Sequence, residues 1–250
     1  MLHSDRKFTV PMMSKVLVFK AASRSVTPQL LRDMYRLRYE VFKERMQWDI
    51  QDSNGLDIDQ FDALAPLYAV YLSDSGKVEG SWRLLPTTGS YMIRDVFPEL
   101  LGGNVAPDGP QIWEISRFSA RPTDRAQSFA AVHPITSALL ISLIQVCLRA
   151  GITRVVSASD LLFERVLKKA GAIAHRLGPV CKIGRTHAVA GWIDISSEHL
   201  QLLADASPLA NPLRILDVAS LEYELDIYPG LLIDALAGGE VRESFHAIAS

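Results

Sequence analysis

The chain has 250 residues, 48% of them hydrophobic and 22% charged, which suits a globular protein with a sizeable core. A formal net charge of −2 excludes a global positive field for holding nucleic acid. Two cysteines, Cys147 and Cys181, exclude a disulfide framework, and neither has a neighbour at metal-ligand spacing.

Residues 1–14 read as a leader, with Met12 or Met13 as an alternative start. The apolar run over 16–19 is too short for a secretion signal, so two buried thiols in a reducing cytoplasm are expected. Lys15–Lys20 reads as a strand. Thr27 and Pro28 then open a helix as N-cap and first-turn proline. Leu30, Leu31, Met34, Leu37, Arg38, Val41 and Phe42 recur at helical spacing over 28–45. Residues 46–63, rich in Asp, Asn and Gly, read as a loop. Strands Leu67–Leu72 and 78–85 follow, joined by Ser73-Asp74-Ser75-Gly76, a good turn sequence. Residues 86–110 read as irregular, and Ile112–Ala120 as a strand.

After a polar linker, 135–148 is apolar nearly all round between Pro134 and Gly151. It is shorter than a membrane span and is interrupted by Ser137, Ser142 and Gln145, so it predicts a core helix. A strand over 153–158, an amphipathic helix over 160–170 capped by Gly171, and strands within 172–183 and 188–195 complete the pattern. Residues 196–250 have weak periodicity and read as a C-terminal extension without assigned chemistry. Antiparallel strands followed by strand–helix–strand–helix–strand predict an α+β fold, an α/β sandwich around a mixed sheet.

The chemistry-bearing residues lie in the first half. Arg38 and Phe42 share a helical face. Trp48 sits at the helix exit, and Asp59 and Asp62 flank Gln60-Phe61. Singly, these read as a snorkelling arginine, a hydrophobic plug and solvated loop acids. Arg83 lies in one strand, and Glu114 and Arg117 in another, beside Trp113, Ile115 and Phe118. Charges buried in a sheet must pair with each other or with a ligand. A regular strand puts Glu114 and Arg117 on opposite faces, and a β-bulge between them would bring them to one.

As a set, Arg38, Phe42, Trp48, Asp59, Asp62, Arg83, Glu114 and Arg117 resemble the acyl-homoserine-lactone synthase family in order, type and spacing. The local wording Leu37-Arg38-Tyr39-Glu40-Val41-Phe42, Arg94-Asp95-Val96-Phe97 and Trp113-Glu114-Ile115-Ser116-Arg117-Phe118 agrees. The resemblance covers residues 15–195. It implies a GNAT-type N-acyltransferase-like mixed sheet with a V-shaped opening between strands and an acyl tunnel. It also implies a two-step reaction. The amine of S-adenosylmethionine, a substrate rather than a cofactor, attacks an acyl thioester; its carboxylate then displaces methylthioadenosine to close the lactone, a quorum-sensing signal.

Under that resemblance Glu114 is the candidate base, its pKa raised by burial and lowered by Arg117. Backbone N–H groups near Arg117 and Ser119 are candidate oxyanion donors. Arg38, Arg83 and Arg117 are candidate carboxylate holders, and Phe42 and Trp48 candidate contacts for the adenosyl or sulfonium group. Asp59 and Asp62 either face that positive charge or pin the loop. Leu139, Leu140, Leu143 and Ser157 are candidate tunnel residues. Residues 121–133 contain no glycine to cradle a pyrophosphate, which favours acyl carrier protein over acyl-CoA as donor and leaves both open. Arg165, Lys168 and Lys169, extended by Arg149 and Arg154, form a basic cluster suited to an acidic carrier. No metal, membrane or nucleic-acid partner is expected. Two rivals remain: a GNAT-type acetyltransferase using acetyl-CoA on another amine, and an inactive relative serving as an interaction module.

Overall fold

The computed structural model describes residues 15–205, apart from 22, 24, 25, 51, 52, 122–131, 170, 171 and 173. The expected leader, most of the glycine-free segment, the Gly171 cap and the extension beyond 205 therefore lie outside the described residues. Strands β1 (Lys15–Lys20), β2 (Leu67–Leu72), β3 (Val78–Pro86), β4 (Ile112–Ala120), β5 (Arg154–Asp160), β6 (His175–Arg176), β7 (Cys181–Ile183) and β8 (Thr186–Asp194) form one mixed sheet. Its order is β1-β2-β3-β4-β5-β8-β6, with β7 also on β8. The first four strands are antiparallel, and β4 and β5 make the parallel junction.

That junction positions the site. Pairing between β4 and β5 covers Ile112↔Arg154, Trp113↔Val155 and Glu114↔Val156 and then stops, although β4 runs on to Ala120 and β5 to Asp160. Beyond Glu114 and Val156 the strands part, the V-shaped opening that the resemblance implies. The other edge of β4 carries the anticipated bulge. Arg83 faces Ser116 and Ser81 faces Ser119, so Trp82 opposes both Arg117 and Phe118. Arg117 takes the extra position with φ of 54°, in the left-handed region where a non-glycine residue is strained.

Side-chain alternation divides the sheet into two faces. Val16, Val18, Ala69, Tyr71, Trp82, Leu84 and Ile115 pack on one side under α3 (Pro134–Arg149). Trp82 donates its indole N–H to Leu139 O and Ser142 Oγ, both at 3.1 Å. Gly80 is required there, because a Cβ would lie 2.6 Å from Ile135 and 2.8 Å from Leu139. Leu17, Phe19, Tyr68 and Val70 face the other side, under α1 (Pro28–Tyr39). Thr27 caps α1 by accepting from Leu30 N–H at 3.2 Å.

The helix expected over 28–45 changes character at Tyr39. Residues Glu40–Arg45 form a π-helical turn, with Met46 N–H bonding to Val41 O at 3.0 Å. The wider turn lets the consecutive residues Val41 and Phe42 both be buried, which a regular helix face does not favour. The loop over 46–63 ends in a 3₁₀ turn, Gln60–Leu64, held by a capping box in which Asp59 and Asp62 each accept a backbone N–H.

Residues 86–110 contain a short helix, α2 (Met92–Asp95), and a 3₁₀ turn, Pro98–Leu101, which place Tyr91, Ile93 and Leu100 against Val156 and Ala190. The strand expected within 172–183 divides in two. Gly178 packs so tightly on Leu100 and Leu101 that a Cβ would come within 2.3 Å of backbone, and Pro179 supplies no ladder donor. Cys147 is buried as expected, whereas Cys181 is only half-buried on the short strand β7; both are free thiols. Helix α4 (Leu161–Lys169) follows β5, and α5 (Ser197–Asp205) packs on α3. No helix among the described residues is long and apolar enough to cross a membrane.

Candidate active site

On the α1 face, where β4 leaves β5, three guanidiniums meet three carboxylates. Arg38, 1% exposed, donates from Nε to Asp57 at 3.1 Å and from Nη1 and Nη2 to Asp62 at 2.8 and 3.0 Å. Arg83, fully buried, reaches Asp59 at 2.5 Å, Asp62 at 2.9 Å and Ser116 Oγ at 3.0 Å, and directs Nη2 to Met92 Sδ at 3.2 Å. Tyr68 donates its hydroxyl proton to Asp62 at 2.7 Å. Arg117 lies 2.8 Å from Asp57 and 2.9 Å from Asp59. Its Nε nevertheless has no aligned acceptor, and neither does Asp59 Oδ2 an aligned donor. Nη2 does donate to Asp57 Oδ1, at 3.3 Å, so the ion pair at the bulge is partly satisfied in direction, unlike the bidentate Arg38–Asp62 pair.

Electrostatics follow the geometry. Burial works against the charge of Arg38, but Asp62 and Asp57 outweigh it and hold the guanidinium above its ordinary range. Burial likewise opposes ionisation of Asp62, and Arg38 and Arg83 overcome it, holding the carboxyl well below the usual range. Arg117 goes the other way: burial lowers it more than Asp57 restores.

Glu114, 1% exposed, stands apart from this cluster. Burial pushes it up to about 7, opposed by the N–H groups of Met92 and Ile93, each donating at 2.8 Å, and then by Arg83. The opposing charge is Arg83 rather than Arg117, because the bulge turns Arg117 toward Asp57 and Asp59.

Phe42 carries the Arg117 guanidinium 5.3 Å from its ring centre and packs on Trp48 with ring centres 5.1 Å apart and planes tilted by 35°. The Trp48 indole N–H is buried without a partner. On the opposite face an apolar cleft of about 520 Å³, counting its open mouth, runs between β4, β5, β8, α3 and α4. Ile115, Phe118, Leu140, Leu143, Ser157 and Leu167 are among its lining residues.

The family model for autoinducer synthases matches residues 23–203. The chain belongs to the acyl-homoserine-lactone synthase family. It is 36% identical to an acyl-homoserine-lactone synthase of Aliivibrio fischeri over 176 residues, 70% of this chain and 91% of that protein. It is 37% identical to one of Pseudomonas aeruginosa over 172 residues, 68% of this chain and 85% of that protein. The crystal structure of the synthase LasI matches with a TM-score of 0.68 at 34% identity, covering 79% of this chain and 99% of that one. The CoA-dependent synthase BjaI, solved with MTA, matches with a TM-score of 0.72 at 25% identity, covering 84% and 99%. As a member of this family the chain is an acyltransferase with the family's GNAT-like fold.

For this synthase, the structure brings Arg38, Phe42, Asp59, Asp62, Arg83 and Arg117 into one cluster, with Glu114 beside it and Trp48 behind Phe42. Leu140, Leu143 and Ser157 line the cleft. Leu139 does not; it packs at Gly80 in the α3 core, one helical position away. Arg165, Lys168 and Lys169 are exposed on α4. Arg154 pairs with Asp194 at 3.1 Å and lies over Trp192, so its charge is already matched. Among the described residues no group of His, Cys, Asp or Glu has metal-site geometry.

Four contributors escaped the sequence reading: Asp57, Tyr68, Ser116 and Met92. Asp57 was legible in principle, as a third acid in the loop that holds Asp59 and Asp62. Nothing in sequence marks Met92, a thioether serving as acceptor for a guanidinium.

Proposed function

We propose that Glu114 and Arg117 carry out the synthase reaction at the point where β4 and β5 part, with S-adenosylmethionine held on the α1 face. The carrying observation is the pairing of an elevated carboxyl with an incompletely satisfied guanidinium at that junction. An amine attacks a thioester only when neutral, so a base must take its proton. Glu114, pushed up to about 7, holds a proton near neutral pH yet still loses it readily. Two of its four lone-pair sites accept backbone N–H bonds, which leaves two for the amine or an intervening water.

Of the three arginines, Arg38 and Arg83 have their donors committed to the cluster and act as scaffold. Arg117, 8% exposed, has Nη2 on Asp57 but Nη1 directed only at Met92 Sδ at 3.8 Å, and is the one with donor capacity for the substrate carboxylate. Asp59 Oδ2, likewise unaligned, faces the positive end of the substrate. Asp62 pins the loop. Lactonisation then needs the carboxylate held in line with the carbon attached to sulfonium, a positioning task rather than an acid–base one. Phe42 and Trp48 offer packed aromatic rings for the adenosyl and sulfonium groups.

The acyl tail enters the cleft past Leu140, Leu143 and Ser157. The donor is a pantetheine thioester. The glycine-free segment 121–133 and the exposed cations of α4 favour acyl carrier protein, while the related BjaI is described as CoA-dependent. The enzyme works in the cytoplasm, where both substrates are made, and needs no resident cofactor, because sulfonium already supplies the leaving group. Purified protein incubated with S-adenosylmethionine and a panel of acyl-carrier-protein and acyl-CoA donors is expected to release methylthioadenosine with at least one. Release with none overturns the reading.

A further inference from the structure

We propose that Arg45 is a binding residue for the phosphate of the donor's pantetheine arm, the group that carrier protein and coenzyme A share. The inference rests on the synthase reading above, since it takes the thioester to lie where β4 and β5 part.

With the carbonyl near Arg117 and the acyl tail in the apolar cleft, the arm has to leave along the open V. There the edge of β4 beyond Glu114 and the edge of β5 beyond Val156 have no strand partner between them, so their backbone groups are available to the arm's amides. The V ends at Ala120 on one side and Asp160 on the other. Arg45 stands at that end. It closes the π-helical turn and donates Nη1 to Ala120 O at 3.3 Å. From Arg117 to Ala120 is roughly 10 Å of chain, within reach of a pantetheine arm, which is longer than this when fully extended and so follows the V in a bent form.

Arg45 has no carboxylate in contact among the described residues. Arg38, Arg83 and Arg117 meet three aspartates, and Arg94, Arg121, Arg154 and Arg176 each meet a carboxylate. Arg45 forms no ion pair among the described residues. Asp160 acts on it only at longer range, and its Oδ1 is engaged in capping α4 through Phe163 N–H at 2.7 Å. Partial burial lowers the Arg45 guanidinium, as expected of a cation without a close anion. Its neighbour Arg121 pairs with Glu40 through Nη2 at 2.5 Å, but the Arg121 Nε is buried with no partner. Two guanidiniums thus flank the last residue of β4 with only one of them, Arg121, in contact with a carboxylate, and a phosphodiester supplies the missing contact charge and the missing acceptors.

The test compares two donors bearing the same acyl group, acyl-pantetheine and acyl-4′-phosphopantetheine, by methylthioadenosine release. Wild type is expected to favour the phosphorylated donor by roughly tenfold in kcat/KM, the value of one charge-assisted contact. Arg45→Gln should remove that preference while the KM for S-adenosylmethionine stays unchanged, and Arg45→Lys should keep part of it. Arg36→Gln removes a charge from the exposed side of α1 and should leave the preference intact. An Arg45→Gln enzyme that keeps the wild-type preference overturns the proposal. So does equal loss with both donors, which marks a structural role. Wild type that releases no methylthioadenosine with any donor sinks the synthase reading itself, and the proposal with it.

Discussion

The two faces of the sheet bury their side chains by different means. Under α3 the core is aliphatic, and its polar atoms are local and satisfied, as where Ser142 and Leu139 O share the Trp82 indole proton. Under α1 the core gives way to interlocked guanidiniums and carboxylates, with Arg38 and Arg83 at 1% exposure or less. The aliphatic face loses stability in proportion to the volume removed. The charged face behaves nearly all-or-none, because removing one partner leaves the other buried and unpaired. The proposed site lies on the less forgiving face, and the cleft proposed for the acyl chain on the forgiving one.

The contrast is broken most sharply at Asp62, which holds Arg38, Arg83 and the Tyr68 hydroxyl together. Asp62→Ala is expected to cost about 3–5 kcal/mol, read from urea denaturation. A loss below 1 kcal/mol would mean that water replaces the carboxylate and the cluster is softer than drawn.

Glu114 comes next, through pH. Its folded pKa, about 7, lies above the ordinary 4.5, so the folded state holds the proton more tightly than the unfolded one. Its contribution to stability is therefore full below pH 4.5 and lost as pH rises through 7. Between pH 5 and 8 wild type should lose up to about 3 kcal/mol relative to Glu114→Gln, from urea midpoints. Parallel pH dependence of the two proteins would contradict the elevated carboxyl.

On the aliphatic face, Leu143→Ala should cost about 2–3 kcal/mol and shift the acyl preference toward longer chains, measured by competition between donors. The smallest effect is expected at the partly exposed pair Arg154–Asp194, where Arg154→Ala should change stability by less than about 1 kcal/mol.

The same contrast explains what could be read from sequence. Periodicity located the long elements, since α3 and strands β1 to β5 are defined by where apolar residues fall, but not the short α2 and 3₁₀ turns or α5. The bulge at Arg117 was legible because Glu114 and Arg117, three apart in a strand, needed one face. The π turn was hidden, since Val41 and Phe42 fit a regular helix by spacing and only the packing of both demanded the wider turn. Long-range pairing was hidden too. Asp57 drew no reading in sequence, because its partners Arg38 and Arg117 come to the loop only through α1 and β4. The break between β6 and β7 was not read at Gly178 and Pro179, because the close contact with Leu100 that enforces it joins segments far apart in the chain.

The most direct test of the central claim pairs a binding measurement with a rate on one variant. Calorimetry should show Glu114→Gln binding S-adenosylmethionine as tightly as wild type. Its release of methylthioadenosine with a competent acyl donor should fall by about 10²–10⁴-fold, the range for removing a general base. Near-normal release from Glu114→Gln would contradict the account and move the proton transfer to another group.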